Sequence, residues 1–353
     1  MIELIILDGQ NFNVKDYTFS NNYAIIFDSL VQNNSTFNIT KRDINASEND
    51  LLVTKEFDKQ FIGIISSINK TDELTTISCY HFSKKFDLTF IGSSKTDVNL
   101  GDYIKSIIDD NLIESDDSLQ NISYLTVTNN STITGAISLN ANASANILDV
   151  ITSILKSYEL VINYNLTYTE SGGFKGIDID IEDVSQQLII DSKEKFIKDI
   201  TVSDGKVGAV NKLVYYPNSE NILYKKILKY YLLKDGTISE NANDVNRISP
   251  VVNQSEYYQD ADIYYDEGAT LLAKVKETFA NTTYNHYIRF TLNANKAIPI
   301  NSINLGDRVM FRYDNKEYNS IVTQLYYSSS TGNVQIQLGL NRVTLTDKLA
   351  MKG

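Results

Sequence analysis

Residues 306–340 read GDRVMFRYDNKEYNSIVTQLYYSSSTGNVQIQLGL, and this stretch decides the fold class. Three runs rich in β-branched and aromatic residues, DRVMFRY, NSIVTQLYYS and VQIQLGL, are separated by Asp314-Asn315 and by a turn near Gly332-Asn333. In the last run Val334, Ile336, Leu338 and Leu340 alternate with Gln335, Gln337 and Gly339. A period of two puts one side of a strand in a core and the other toward water. Three successive strands joined by tight turns form an antiparallel meander, a unit of small barrels and sandwiches.

Working outward, residues 2–7, 23–28, 35–41, 51–56 and 60–69 are further β-rich runs, punctuated by Asn, Asp, Ser and Gly. FIGIISSINK (61–70) and LTTISCYHF (74–82) are predicted to form a hairpin across Thr71-Asp72-Glu73, and FDLTFIG closes this block near Gly92. The middle of the chain follows a different period. Leu100, Tyr103, Ile104, Ile107, Ile108 and Leu112 keep helical spacing, as do Ile147, Leu148, Ile151, Ile154, Leu155 and Tyr158, with Ser144 the predicted N-cap. LVINYNLTYT and FKGIDIDIED form a predicted hairpin around Gly172-Gly173. Beyond residue 185 strands return, with a hairpin at Asp235-Gly236 and one predicted helix over 266–281. The expected architecture is mostly β with α+β insertions. Its expected domains are an N-terminal β domain at 1–92, an α+β domain at 93–184, and a second β domain at 185–353 interrupted around 220–300.

Composition narrows the function classes. The 353 residues are 42% hydrophobic and 10% aromatic, enough for a real core and far from a disordered composition. Three prolines exclude collagen-like and proline-rich architectures. With 32 Lys+Arg against 44 Asp+Glu the net charge is −12, which argues against a surface that grips phosphates. The single cysteine, Cys79, permits no intrachain disulfide and no cysteine-based zinc site. MIELIILDGQ carries neither a basic leader nor a long apolar segment, and no run approaches 18 apolar residues. No signal peptide and no membrane span are expected, and the chain is expected to fold in a cytoplasm.

Chemistry-bearing motifs are sparse. There is no HExxH, phosphate loop or dinucleotide fingerprint. Cys79 and His81 share one face of a predicted strand, and His286 lies in a strand-like run; all three read as packing residues. Asp178, Asp180 and Glu182 alternate with Ile177, Ile179 and Ile181, so the three carboxylates share one strand face. Such a face could bind Ca²⁺ or supply a glycosidase acid pair, but it is also what a solvated face over a buried one looks like, and that reading is preferred. No catalytic residue, cofactor or metal is expected. Tyrosine pairs at 215–216, 230–231, 257–258, 264–265 and 326–327 fit either an interface or carbohydrate surface, or plain strand propensity.

The block order and the terminal meander resemble phage tail-hub proteins, the group typified by the central hub of T-even baseplates and the tail-associated proteins of siphophages of Gram-positive bacteria. The resemblance rests on Gly306-Asp307-Arg308-Val309 opening the module, on Ile321 to Tyr327, on Gly339, and on SANILDVITSILKSYELVINYNL as a helix-then-strand unit. It implies a homotrimer whose two small β-barrel domains per chain form a pseudo-hexameric ring, with the other domains closing the channel until DNA ejection. The implied partners are a distal tail protein or tail tube protein, and receptor-binding proteins of the baseplate. The implied place is the virion tail, assembled in the cytoplasm of the bacterial host; the Asn, Ile, Lys and Tyr bias suits a low-GC genome. Relatives often carry a C-terminal peptidoglycan hydrolase; a chain ending at Gly353 is expected to lack it, and so not to be an enzyme. A trimer would carry three times −12, or −36, and such a channel repels DNA in transit and holds none stably. The alternative reading is a carbohydrate-binding adhesin or receptor-binding protein with tyrosine-lined surfaces. A third is a glycan-active enzyme using Asp178, Asp180 or Glu182.

Overall fold

Period-two runs and turn residues place strands along nearly the whole chain. The computed structural model describes residues 1–28, 33–40, 43–139, 144–184, 187–203, 210–217, 227–258, 269–283, 286–294, 297–329 and 333–339. The first group of strands is β1 (Ile2–Leu7), β2 (Val14–Ser20), β3 (Asn22–Asp28), β4 (Ser35–Thr40), β5 (Leu51–Glu56), β6 (Lys59–Lys70) and β7 (Leu74–His81). The middle holds β8 (Thr89–Ile91), β9 (Lys95–Asn99), α1 (Leu100–Ile108), β10 (Leu125–Asn129), β11 (Thr134–Ile137), β12 (Ser144–Asn146), α2 (Ile147–Ser157), β13 (Leu160–Tyr168) and β14 (Phe174–Asp183). Then come β15 (Leu188–Asp191), β16 (Ile197–Ser203), β17 (Lys212–Pro217), β18 (Leu228–Leu232), β19 (Ile238–Ser239), β20 (Asn253–Tyr258) and α3 (Ala269–Thr283). The last strands are β21 (Tyr287–Leu292), β22 (Arg308–Tyr313), β23 (Lys316–Ser328) and β24 (Val334–Gly339). The fold is mostly β with α+β insertions, as the patterning predicts.

One sheet runs β16-β21-β24-β23-β3-β4-β7-β6-β5-β1-β2, with β22 paired to β23 and β15 to β22. Its two ends of the chain are stitched together by β3 and β23, where Leu325 faces Phe27 and Tyr327 faces Ile25. Phe27 also meets Phe61 of β6 at 5.6 Å between ring centroids. Those two strands are not ladder neighbours, so the sheet curls over its apolar face. Leu4, Ile25, Phe37, Phe61, Phe290, Phe311, Leu325 and Ile336 share this interior, and full burial of each such side chain contributes roughly 1.5–3 kcal/mol. Among the described residues the ladders of neither half close into a barrel.

The two halves repeat one topology. The order β3-β4-β7-β6-β5 matches β16-β21-β24-β23-β22 strand for strand. Both β5–β6 and β22–β23 are hairpins with two-residue turns, Phe57-Asp58 and Asp314-Asn315, whose residues all have positive φ. Left-handed pairs of this kind match the twist of the strands they join. The second strand of each hairpin starts with a lysine, Lys59 or Lys316, and slips register seven residues later, at Ser66 or Thr323.

β5 and β6 are buried on both faces. Leu52, Phe61 and Ile65 point into the shared interior, whereas Leu51, Val53, Ile62 and Ile64 belong to a second core under the middle of the chain. That second core is roofed by α1 and α2 and walled by the sheet β10-β14-β13. Of the predicted stripe, Leu100, Ile104, Ile107 and Ile108 on α1 are buried, as is Leu112 just past its end, while Tyr103 is half-buried. Asn146, not Ser144, caps α2, accepting from the Asp149 amide at 3.2 Å. The reason is that Ser144–Asn146 pairs with Thr89–Ile91, which keeps the backbone extended up to Asn146. FDLTFIG therefore does not end the first sheet; its β8 portion joins the middle of the chain. A four-stranded sheet, β19-β18-β17-β20, and α3 form a third core around Leu213, Tyr215, Tyr230, Leu271 and Phe279. The predicted helix over 266–281 is found at Ala269–Thr283; its first three residues, Tyr264, Tyr265 and the tail at 340–353 lie outside the described residues.

Candidate functional site: the junction around Gly306–Val309

Gly306-Asp307-Arg308-Val309 sits between the large sheet and the end of α2. Gly306 has φ +90° and lies against the Leu160 carbonyl, which a Cβ would approach to 3.3 Å. Its amide donates to the Val322 carbonyl at 2.9 Å, and the Val322 amide donates to the Asp307 carbonyl at 2.9 Å. The Asp307 carboxylate accepts from the Asn304 amide at 2.7 Å, closing the loop that launches β22.

Arg308 is buried and reaches out of β22 to the end of α2. Its Nη2 donates to the carbonyls of Leu155 (3.1 Å), Lys156 (3.2 Å) and Tyr158 (2.7 Å). The last carbonyls of a helix have no intrahelical donor and carry partial negative charge, so one guanidinium satisfies three acceptors and complements the dipole. The same loop touches the first half of the chain. Lys59, at the start of β6, donates to Asn304 Oδ1. Burial pushes the Lys59 ammonium down to about 8, with the Asp307 charge opposing. Burial likewise raises the Asp307 carboxyl, against the Asn304 hydrogen bond and the Lys59 charge. Lys59, Asn304, Asp307 and Arg308 thus tie the loop before β22 to the start of β6 on one side and to the end of α2 on the other.

His81 and Cys79 lie in the interior. Burial raises the Cys79 thiol, which makes it a poor nucleophile. Burial, and then the Lys59 charge, push His81 down to about 3. Its Nδ1 lies 2.8 Å from Ser83 Oγ, and its ring meets Tyr164 edge-on at 4.9 Å. His286 lies 2.7 Å from Ser320 Oγ.

Asp178, Asp180 and Glu182 occupy one face of β14, while Ile177, Ile179 and Ile181 are fully buried on the other. The carboxylates are engaged by neighbouring strands: Asp178 accepts from Thr126 (2.9 Å) and Thr128 (3.0 Å), Asp180 from Asn130 (2.7 Å), and Glu182 from Asn163 (3.2 Å). Burial, then the Asp180 charge, raise the Glu182 carboxyl. Among the described residues no group of three or more His, Cys, Asp and Glu is placed to hold a metal ion. Of the tyrosine pairs, Tyr215, Tyr230, Tyr231 and Tyr327 are buried, filling cores rather than lining a surface. The junction itself carries no motif of known chemistry; its sequence signal was the glycine–aspartate opening of the meander, and the roles of Lys59 and Arg308 had none.

No family profile matches the sequence, and no curated protein does either. Solved structures do. Prophage tail protein gp18 from Listeria monocytogenes EGD-e matches over 99% of this chain and 100% of its own, with TM-score 0.54 at 12% identity. The 43 kDa tail protein of prophage MuSo2 from Shewanella oneidensis matches over 96% and 98%, with TM-score 0.55 at 9% identity. The fold is that of phage tail proteins. A chain in a topological model of the P2 virion baseplate in its activated conformation matches over 96% and 98%, with TM-score 0.51 at 14% identity. The tail-protein fold covers the insertion and the middle region as well as the two repeated halves.

Proposed function

We propose that this chain is a structural virion protein, the tail-tip or baseplate hub of a phage of a low-GC Gram-positive host. The observation that carries the proposal is the end-to-end match with a prophage tail protein, 99% of one chain on 100% of the other. The repeated halves support a homotrimer in which each copy supplies two barrel-like modules to a pseudo-hexameric ring. A distal tail protein or tail tube protein would sit on that ring, and receptor-binding proteins of the baseplate beside it. The units are proposed as 1–92, 93–184 and 185–353, the last interrupted around 220–300. The region at 93–184 would close the channel until DNA ejection, and the junction at Gly306–Val309, which fixes α2 to the ring, is the natural hinge for opening. The role is structural rather than enzymatic, in a tail assembled in the host cytoplasm.

The net charge of −12 supports passage of DNA without retention. Four of the ten paired tyrosines, Tyr215, Tyr230, Tyr231 and Tyr327, are buried and do not contribute to a tyrosine-lined adhesin surface. Antibody labelling of intact particles under the electron microscope tests the proposal: label confined to the tail tip is expected, and label on the head or along the tube would contradict it.

A further inference from the structure

The repeat inside the chain contains one unmatched pairing. In the C-terminal half, β23 is covered beyond its hairpin partner: β22 pairs with Lys316–Ile321, and β3 then pairs with Gln324–Ser328. The equivalent strand, β6, is paired by β5 only over Lys59–Ile64. Past its register slip, Ser67–Lys70 is paired to β7 alone among the described ladders. Burial reports the difference. Leu325 is fully buried, whereas its counterpart Ile68 is half-buried; Tyr327 is buried, whereas its counterpart Lys70 is exposed.

The strand that covers β23 is β3, the first strand of the other half. Its counterpart is β16, the terminal strand of the sheet path. One chain therefore shows half of a reciprocal arrangement: an exposed β6 edge at one place and an end strand β16 at another. An open edge presents backbone donors and acceptors to any strand of matching shape. The intrachain β23–β3 pairing is the template for that match.

We propose that the end of β16 in one copy adds to the Asn69–Lys70 end of this β6 edge in a second copy, reproducing part of the β23–β3 pairing between chains. The contact is heterologous, since each copy offers one β6 edge and one β16 edge. Repeated in the same sense it closes a ring of alternating halves. Carrying the register through the matched ladders sets Asn69 against Ser203, as Tyr326 stands against Ile26. The inference rests on the ring of the hub reading and names the strands through which its copies meet.

The test is the double variant Asn69→Cys/Ser203→Cys in the full chain, with Cys79 buried and out of reach. Oxidation is expected to convert most of the assembled protein to a covalent closed oligomer, reversed by reductant, with neither single variant doing so. A double variant that assembles by light scattering yet stays single-chain on a non-reducing gel overturns the pairing. So does one that remains monomeric at tens of micromolar while keeping the parent's circular dichroism. Asn69→Lys/Thr201→Lys, which places like charges along the same contact, is expected to lower the assembled mass without changing the melting of the monomer. The two readings fail separately: tail-tip labelling with no cross-link overturns the pairing alone, and cross-linking with label away from the tip overturns the hub alone.

Discussion

Arg308 shows most directly how one side chain holds the molecule together. Its removal leaves the carbonyls of Leu155, Lys156 and Tyr158 without that donor in a buried setting, at a cost of about 2–4 kcal/mol. Arg308→Ala is expected to lower the denaturation midpoint accordingly, with Arg308→Lys recovering part of the loss; an unchanged midpoint would refute the capping role. The buried imidazole gives a pH signature. Folded His81 titrates at about 3 and an unfolded histidine near 6.5. Between those values the unfolded chain binds the extra proton, so stability falls as pH drops from 6.5 toward 3. Melting temperature followed against pH should show this slope, and His81→Phe should flatten it. Lys59 gives the opposite window. Its folded value of about 8 lies below the unfolded 10.5, so stability should rise between those pH values, and Lys59→Met should abolish that rise. His81 was legible as a packing residue, but the partners of all three lie far along the chain and left no sequence signal: Leu155 for Arg308, Asn304 for Lys59, Tyr164 for His81.

At the scale of elements, local patterning was sufficient for several local pairings, though it missed β2, the hairpin partner of β1. The β22–β23–β24 meander, the β6–β7 hairpin and the buried stripe of α1 follow from spacing and turn residues. Pairings between distant segments leave no such trace, and so β3–β23 and β8–β12 emerge only in the structure. The internal repeat is hidden for a related reason. The same left-handed turn is built by Phe57-Asp58 in one half and Asp314-Asn315 in the other, and an insertion separates β16 from β21 but nothing comparable separates β3 from β4. The turn itself is testable. Asp58 sits at φ 62°, a conformation glycine adopts without steric cost, so Asp58→Gly should stabilise the fold by about 0.5–1 kcal/mol in chemical denaturation. Gly306→Ala should do the reverse by about 1–2 kcal/mol or more, since φ +90° strains any side chain and the Leu160 carbonyl stands close by.

For the molecule as a whole, the acidic strand face of Asp178, Asp180 and Glu182 was visible as an alternation, and the structure finds it engaged by threonine and asparagine neighbours. What the alternation could not reveal is how two similar halves, separated by the middle of the chain, fold onto one sheet with a shared interior. That sheet, and the match of its fold to tail proteins along its whole length, are what the proposal of a ring-forming hub starts from. Mixed with duplex DNA at physiological salt, the protein should cause no gel retardation; a salt-sensitive shift would argue against an acidic channel. The most direct test of the hub account is the solution mass by light scattering, alone and with a candidate distal tail protein. A trimer, or a trimer that captures a ring of the tail protein, is the predicted result; a stable monomer that ignores tail proteins would contradict it.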